Sequence, residues 1–85
     1  MRIERSPSFD RYYKKLPKNV KDLFKKKMKL LLSSNFEHPS LRVKKIKGTK
    51  NIWEASITKS YRFTFEKIAD GIRLRVIGKH NILKK

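Results

Sequence analysis

The chain has 85 residues and a formal net charge of +17, because 24 lysines and arginines face only 7 acidic residues. A chain of this length is expected to form one domain with a thin core, so we treat residues 1–85 as a single domain. The absence of cysteine excludes a disulfide framework and a cysteine-based metal site.

The charge also narrows the kinds of partner that this chain can have. A polyanion neutralises such a surface, which favours DNA, RNA or an acidic protein over a merely basic soluble domain. No apolar run approaches the roughly 20 residues of a membrane span, and the N-terminus has no signal-peptide core. We therefore expect a cytoplasmic protein with no membrane partner.

The first half of the chain predicts a short edge strand followed by two helices. Residues 2–6 fit an edge strand, and Ser8 is placed to cap the helix that follows. Apolar residues then recur at helical spacing in two segments, which Pro17 separates. These apolar residues are Phe9, Tyr12, Tyr13 and Leu16 in the first segment and Val20, Leu23, Phe24, Met28 and Leu31 in the second.

From Leu41 onward apolar residues alternate with polar ones, which predicts strands. The predicted strands are residues 41–48, 52–57, 61–66 and 72–78. Residues 69–71 form a hairpin signal, and Ile72, Leu74 and Val76 are expected on one face of the last strand. The order of elements predicts an α+β fold, in which two N-terminal helices pack on one face of a small, twisted, mainly antiparallel sheet.

Arg62 is the first candidate for a functional residue. It lies between Tyr61 and Phe63, so the period of two places it on the face opposite those aromatics. If the helices cover the aromatic face, the guanidinium projects from the open one, where it suits two-point binding of a phosphate. Glu54 is expected on the same face. It is either a charge partner that holds Arg62 or a general base that takes a proton from a ribose 2′-hydroxyl.

His80 is the second candidate, because an imidazole that follows Gly78 by two residues can act as acid or base near neutral pH. A simply exposed histidine is the alternative, and His38 is expected to be structural or to have no role. Five lysines are expected to add affinity for an RNA backbone with little sequence preference. They are Lys44, Lys45, Lys47, Lys79 and Lys84. Nothing resembles a P-loop, a dinucleotide fingerprint, a metal-ligand cluster or a Ser-His-Asp arrangement, so neither a cofactor nor a metal is expected.

Four short motifs together resemble one protein family. They are Ile46-Lys47-Gly48, Trp53-Glu54, Tyr61-Arg62-Phe63 and Gly78-Lys79-His80. In this order, and over nearly the whole chain, they resemble the RelE/ParE superfamily of toxins from type II toxin–antitoxin pairs. The resemblance implies the RelE-like fold and a cognate antitoxin that wraps the basic cleft, giving a hetero-oligomer. RelE-like members cut messenger RNA in the ribosomal A site through the 2′-hydroxyl and without a metal, whereas ParE-like members inhibit DNA gyrase.

The resemblance also implies roles for single residues. Arg62 matches the strand arginine that contacts the scissile phosphate, and His80 matches the Gly-x-His after the last strand. Glu54 and Ser56 stand near positions where RelE has catalytic lysines, and Lys84 stands where many nuclease members have an aromatic residue. The expected function is therefore a translation-inhibiting messenger-RNA endoribonuclease. A gyrase inhibitor and a catalytically degenerate nucleic-acid-binding module stay open as alternatives.

Overall fold

The computed structural model describes residues 2–34 and 36–79. Within these ranges the chain forms two α-helices, one short 3-10 helix and five strands. The helices are α1 (Pro7–Lys14) and α2 (Lys18–Ser33), and the 3-10 helix is Pro39–Leu41. The strands are β1 (Arg2–Arg5), β2 (Lys44–Lys45), β3 (Ile52–Ser56), β4 (Tyr61–Ile68) and β5 (Gly71–Lys79).

The described strands form one mixed sheet in the order β1-β5-β4-β3-β2. β1 pairs in parallel with β5, and every other neighbouring pair is antiparallel. The backbones of β1 and β5 lie very close together at Gly71. A Cβ at this position would collide with the Arg2 carbonyl, so only glycine fits there. The predicted α+β fold with a mainly antiparallel sheet, including the N-terminal edge strand, is confirmed.

Local sequence explains where α1 begins. Ser6 is the N-cap, and its hydroxyl accepts the Phe9 backbone N–H at 3.1 Å. Pro7 fills the first helical position, where a missing N–H costs nothing. The predicted cap at Ser8 is therefore wrong by two residues, because Ser8 is already inside the first turn.

Aromatic side chains join the helices to one face of the sheet. Phe63 and Phe65 on β4 are fully buried, and Phe24 of α2 meets Phe63 edge-on at a centroid distance of 5.2 Å. Phe9 of α1 packs on Phe24 at 5.7 Å. Each such ring contributes about 1.5–3 kcal/mol when fully buried. The core thus lies between β4 and the two helices, and the opposite face of the sheet, called the open face below, carries no described helix.

The first predicted strand of the second half is largely wrong. Pro39 starts a 3-10 turn that runs to Leu41, and Arg42 then takes a left-handed conformation with φ 47°. A left-handed residue breaks an extended chain, so pairing begins only at β2, which has two residues. The short β2 leaves the outer side of β3 without a neighbouring strand beyond Glu54.

The last predicted strand is found at the expected place, but the residues that face the core change partway along it. Thr64 pairs with Val76 while Phe65 pairs with Leu74, so Arg75 is an extra residue in β5. Such a bulge reverses the alternation that follows it. Ile77 is therefore fully buried in place of Val76, the residue expected in the core.

Candidate functional site

The strand register brings Glu54 and Arg62 to the open face. Ala55 pairs with Phe63 on the covered face, so Glu54 and Ser56 point the other way together with Arg62. Arg62 lies directly opposite Ser56, and Ser56 follows Glu54 by two residues on the same face of β3. The expectation that Glu54 and Arg62 share a face agrees with this geometry.

Direct contacts hold the Arg62 guanidinium in place. Its Nε lies 3.4 Å from Oε1 of Glu54, and its Nη1 donates a hydrogen bond to the Ser56 hydroxyl. The Arg62 side chain is 21% exposed and that of Glu54 is 13% exposed. A guanidinium has five N–H donors in a fixed fork, so donors beyond these contacts can still serve a ligand.

Arg62 lines a small cleft of 190 Å³ beside the free edge of β3. Three further cations line it: Lys27 from α2, Arg42 after the 3-10 helix, and Lys59 from the turn before β4. Hydroxyls of Ser40, Ser56 and Thr58 line it too, and no carboxylate is among its described lining residues. We call it the Arg62 cleft. Converging cations on a partly buried surface raise the local concentration of anions, and a phosphate fits this chemistry.

Sequence reasoning missed three of these cations. Lys27 carried a usable signal, since it follows Phe24 by three residues and precedes Leu31 by four, which puts it on the sheet-facing side of α2. Arg42 and Lys59 carried none, because their approach depends on a left-handed backbone and on a turn.

One of the predicted RNA-binding lysines, Lys44, shares the open face with Arg62. Lys44 is exposed and pairs with Glu54 across β2 and β3, which puts it on the open face. Lys79 is exposed and pairs with Tyr61 of the covered face, and together with Tyr12 and Lys15 it lines a different pocket. The position of Lys44 allows contact with a nucleic-acid backbone that enters the Arg62 cleft.

The other predicted residues are placed differently. Lys45 pairs with Trp53 and so belongs to the covered face, and Lys47 lies in the turn before Gly48, at the end of β3 away from Ser56. His80 and Lys84 lie outside the described residues. His38 caps the 3-10 helix, accepting the Ser40 backbone N–H at Nδ1 over 3.2 Å, as its expected structural role requires.

A second arginine on the open face is held by two carboxylates. Arg73 donates from Nε and Nη2 to Oε1 of Glu4 at 3.1 and 3.0 Å. Its Nη1 lies 3.9 Å from Oε1 of Glu66. On the open face, the cross-strand neighbours Glu54, Thr64 and Val76 lie between Arg62 and the group of Arg73, Glu4 and Glu66. The Thr64 hydroxyl is buried, and none of the described residues offers it a hydrogen-bond partner.

The described residues contain no group of three or more histidine, cysteine or carboxylate side chains that could hold a metal ion. In the same part of the chain, neither helix has the length and apolar character that crossing a bilayer requires.

The sequence matches no protein-family profile, and no curated protein is significantly similar to it. Solved structures do share its fold. A chain of the Methanococcus jannaschii RelB-RelE antitoxin-toxin complex has a TM-score of 0.77 and 22% identity, over 95% of this chain and 94% of that one. A chain of the E. coli DinJ-YafQ toxin-antitoxin complex has a TM-score of 0.83 and 20% identity, over 99% and 97%.

The YoeB dimer from Staphylococcus aureus is similar as well, with a TM-score of 0.81 and 15% identity over 94% of this chain and 97% of that one. Identities of 15–22% establish a common fold. The resemblance to RelE-like toxins expected from the four motifs is therefore confirmed at the level of the fold.

Proposed function

We propose that this chain is the toxin of a toxin–antitoxin pair and acts as a ribosome-dependent endoribonuclease that cuts messenger RNA without a metal ion. The observation that carries the proposal is the Arg62 cleft: an arginine oriented by Glu54 and Ser56 among three more cations. The fold shared with RelE, YafQ and YoeB structures supports it.

The proposed reaction is attack by a ribose 2′-hydroxyl on the adjacent phosphorus. The new bond joins O2′ to phosphorus, the bond to O5′ breaks, and the proton removed from O2′ is balanced by one given to O5′. Arg62 binds the phosphate at two points and stabilises the charge that develops on its oxygens. Lys27, Arg42 and Lys59 line the same cleft and strengthen that stabilisation.

Glu54 and His80 are the proposed acid–base groups. The Glu54 carboxylate is 3.4 Å from Arg62, so a phosphate held by Arg62 brings its ribose beside this carboxylate. Glu54 is then the base for the 2′-hydroxyl or the group that orients Arg62. His80 follows Lys79 at the end of β5 and is proposed as the acid or the second base.

The remaining lysines are proposed to hold the RNA outside the reacting bond. Lys44 lies on the same face as Arg62, and Lys79 is proposed to reach the RNA from the end of β5. Lys45, Lys47 and Lys84 are proposed to bind more distant phosphates, each adding affinity that falls with salt.

The proposed protein partner is a cognate antitoxin. The RelB-RelE and DinJ-YafQ structures are complexes of toxin with antitoxin, and a net charge of +17 favours an acidic protein as the neutralising partner. The complex is a hetero-oligomer, and its assembly silences the toxin.

The test is induced expression of the chain without an antitoxin, with growth and messenger-RNA integrity followed together. Wild type is expected to stop growth and to leave transcripts cut within coding regions, and Arg62→Ala is expected to lose both effects. Arg73→Ala is the matched control, since it removes an arginine from the same face outside the Arg62 cleft. Normal growth and intact transcripts with well-folded wild type would refute the proposal.

One observation favours a different function. Arg62 already contacts a carboxylate and a hydroxyl, an arrangement that a purely structural arginine also produces. A catalytically inactive nucleic-acid-binding module would show steep salt dependence of RNA binding, no toxicity and no effect of replacing His80. Growth arrest with intact transcripts and accumulating cleaved DNA would instead indicate a gyrase inhibitor.

A further inference from the structure

Ser40 and His38 form a hydrogen-bonded pair on one side of the Arg62 cleft. Ser40 lines the cleft, and its Oγ lies 2.9 Å from Nδ1 of His38. No carboxylate is among the described residues that line the cleft. This lining hydroxyl, in contrast, is in direct contact with an imidazole, a side chain that accepts a proton near neutral pH.

The hydrogen bonds around His38 fix the direction of its contact with Ser40. The Ser40 backbone N–H lies 3.2 Å from Nδ1, and an N–H group can only donate, so Nδ1 is the unprotonated nitrogen of a neutral ring. The Ser40 hydroxyl therefore also donates to this nitrogen. Its proton points to His38, and the lone pairs of its oxygen are left for a ligand in the cleft.

The fold holds this pair from both sides. The His38 backbone N–H donates to the Ser34 hydroxyl at 3.1 Å, and Ser34 in turn donates to the Leu30 carbonyl of α2 at 2.6 Å. On the other side of Ser40, Leu41 is fully buried in the core. Ser40 thus lies between two anchored residues, which gives its hydroxyl the defined position that a reacting group requires.

Two other hydroxyls of the cleft are oriented differently. The Thr58 oxygen accepts two backbone N–H groups of the turn that follows it, at 3.2 and 3.1 Å, so its own proton is left to donate. The Ser56 oxygen accepts from Arg62, which leaves its proton as well. These donors and the four cations suit a phosphodiester, which only accepts hydrogen bonds. Ser40 has committed its proton to His38 and can meet a ligand only as an acceptor.

This combination fits a phosphate that has a hydroxyl beside it. RNA supplies such a hydroxyl at the ribose 2′ position, and DNA does not. Because Ser40 and Arg62 line the same cleft of 190 Å³, a phosphate bound by Arg62 brings the adjacent ribose to Ser40. We propose that Ser40, held by His38, is the acceptor for the 2′-hydroxyl of the bound nucleotide and takes its proton. The proposal rests on the proposed function for the reaction, whereas the contact with the ribose does not require cleavage.

The transfer of the proton balances within the cleft. The 2′-hydroxyl gives its proton to Oγ of Ser40 while Ser40 gives its own proton to Nδ1 of His38, which becomes an imidazolium and later releases the proton to solvent. O2′ bonds to phosphorus, the bond to O5′ breaks, and O5′ takes a proton from the acid, for which His80 is proposed. Ser40 touches the substrate, and His38 acts through it as a positioning residue. Glu54 is then left to orient Arg62.

Binding of short oligonucleotides tests the contact with the ribose. The probe is a fluorescein-labelled oligouridine, and it is compared with the same chain made of 2′-deoxyuridine or of 2′-O-methyluridine. All three carry the same bases and phosphates, so the contribution of the cations is shared. Wild type is expected to bind the RNA at least about threefold more tightly than either analogue in fluorescence anisotropy, since both analogues lack the hydroxyl proton that Ser40 accepts.

Three variants separate the hydroxyl from the imidazole. Ser40→Ala removes the acceptor and is expected to bind the three oligonucleotides equally. Ser33→Ala removes an exposed hydroxyl at the end of α2, outside the cleft, and should keep the wild-type preference. His38→Asn keeps an acceptor that caps the 3-10 helix and holds the Ser40 hydroxyl, so it should keep the preference too. Thermal unfolding checks that each variant is folded.

Cleavage tests the transfer of the proton. In a reconstituted translation system at saturating protein, His38→Asn is expected to slow the cleavage of messenger RNA by about 10²–10⁴-fold, because an amide does not take the proton. Its affinity for the oligouridine should stay unchanged. If His38 only capped the 3-10 helix, asparagine would replace it fully, since asparagine is a preferred capping residue.

Equal binding of the three oligonucleotides by wild type, or a preference that Ser40→Ala retains, would overturn the contact with the ribose. Cleavage by His38→Asn at the wild-type rate would overturn the transfer of the proton to His38. A wild type that cuts no messenger RNA but prefers RNA through Ser40 would refute the proposed function and the proton transfer with it, and would keep the contact with the ribose.

Discussion

Two arginines on the open face are held in contrasting ways. Arg73 is 51% exposed and contacts the carboxylates of Glu4 and Glu66. Arg62 is 21% exposed and, within the described residues, contacts the single carboxylate of Glu54 together with a hydroxyl. The first arginine contacts two carboxylates, one of which also pairs with Arg2, and the second sits among additional cations.

The contrast shows that position on a strand does not by itself make an anion site. Both arginines lie near the start of a strand and on one face of the sheet, so the period of two places them alike. Their surroundings differ: the Arg62 cleft adds Arg42 and Lys59, and the Arg73 group adds carboxylates. A surplus of positive charge in a partly buried cleft is what a phosphate requires.

The largest expected effect comes from removing the proposed base. Glu54→Gln keeps the size and hydrogen-bonding capacity of the side chain, but a neutral amide cannot take a proton. If Glu54 is the base, cleavage of messenger RNA in a reconstituted translation system should slow by about 10²–10⁴-fold. Glu66→Gln makes the same change beside Arg73 and should leave the rate unchanged. A Glu54→Gln protein that cuts at nearly the wild-type rate would limit Glu54 to orienting Arg62.

The carboxylate beside Arg62 should also matter more for stability than the carboxylate beside Arg73, although the difference is smaller than the effect on cleavage. Glu54→Ala leaves the partly buried Arg62 without the carboxylate that faces it, so the free energy of unfolding should fall by about 1–3 kcal/mol. Glu66→Ala removes a more exposed carboxylate 3.9 Å from Arg73 and should cost less than about 1 kcal/mol. Urea unfolding with a common m-value measures both. Equal losses would mean that burial does not distinguish the two groups.

Much of the fold could be predicted from the sequence because aromatic and polar residues alternate along the first part of β4. Phe63 and Phe65 are buried and Arg62 is not, as the period of two predicts. The failures have a common cause in backbone geometry. The left-handed conformation of Arg42 interrupts the strand that was expected from Leu41 onward. The extra residue Arg75 reverses the alternation in β5, so that Ile77 is buried in the core instead of Val76. Neither the left-handed residue nor the bulge is visible in the order of apolar and polar residues along the chain.

The candidate site was only half readable, for a related reason. Glu54 and Arg62 belong to neighbouring strands, so alternation alone places them together. The Arg62 cleft also draws on Lys27 from α2, on Arg42 and on the turn at Lys59, which lie far apart in the chain. Their convergence depends on how the helices dock and where β2 stops, which residue spacing does not encode.

Thr64 lies between the two arginine groups and offers a smaller test. It is 2% exposed, and its hydroxyl has no hydrogen-bond partner among the described residues. Thr64→Val replaces that hydroxyl with a methyl group of similar size and raises strand propensity, so the free energy of unfolding should rise by about 1 kcal/mol. Thermal or urea unfolding measures it. A loss of stability would show that the hydroxyl is solvated or bonded in solution.

The smallest expected effect is that of Arg73→Ala. Its contacts with Glu4 and Glu66 are solvent-exposed, so their loss should lower the free energy of unfolding by less than about 1 kcal/mol at low salt. The difference from wild type should shrink in 1 M salt, where charges are screened beyond about 3 Å. A loss that persists at high salt would mean that the arginine stem stabilises the sheet by packing. In that case Arg73 would stabilise the sheet through the packing of its methylene groups, and the two arginines would differ in packing as well as in the charge around them.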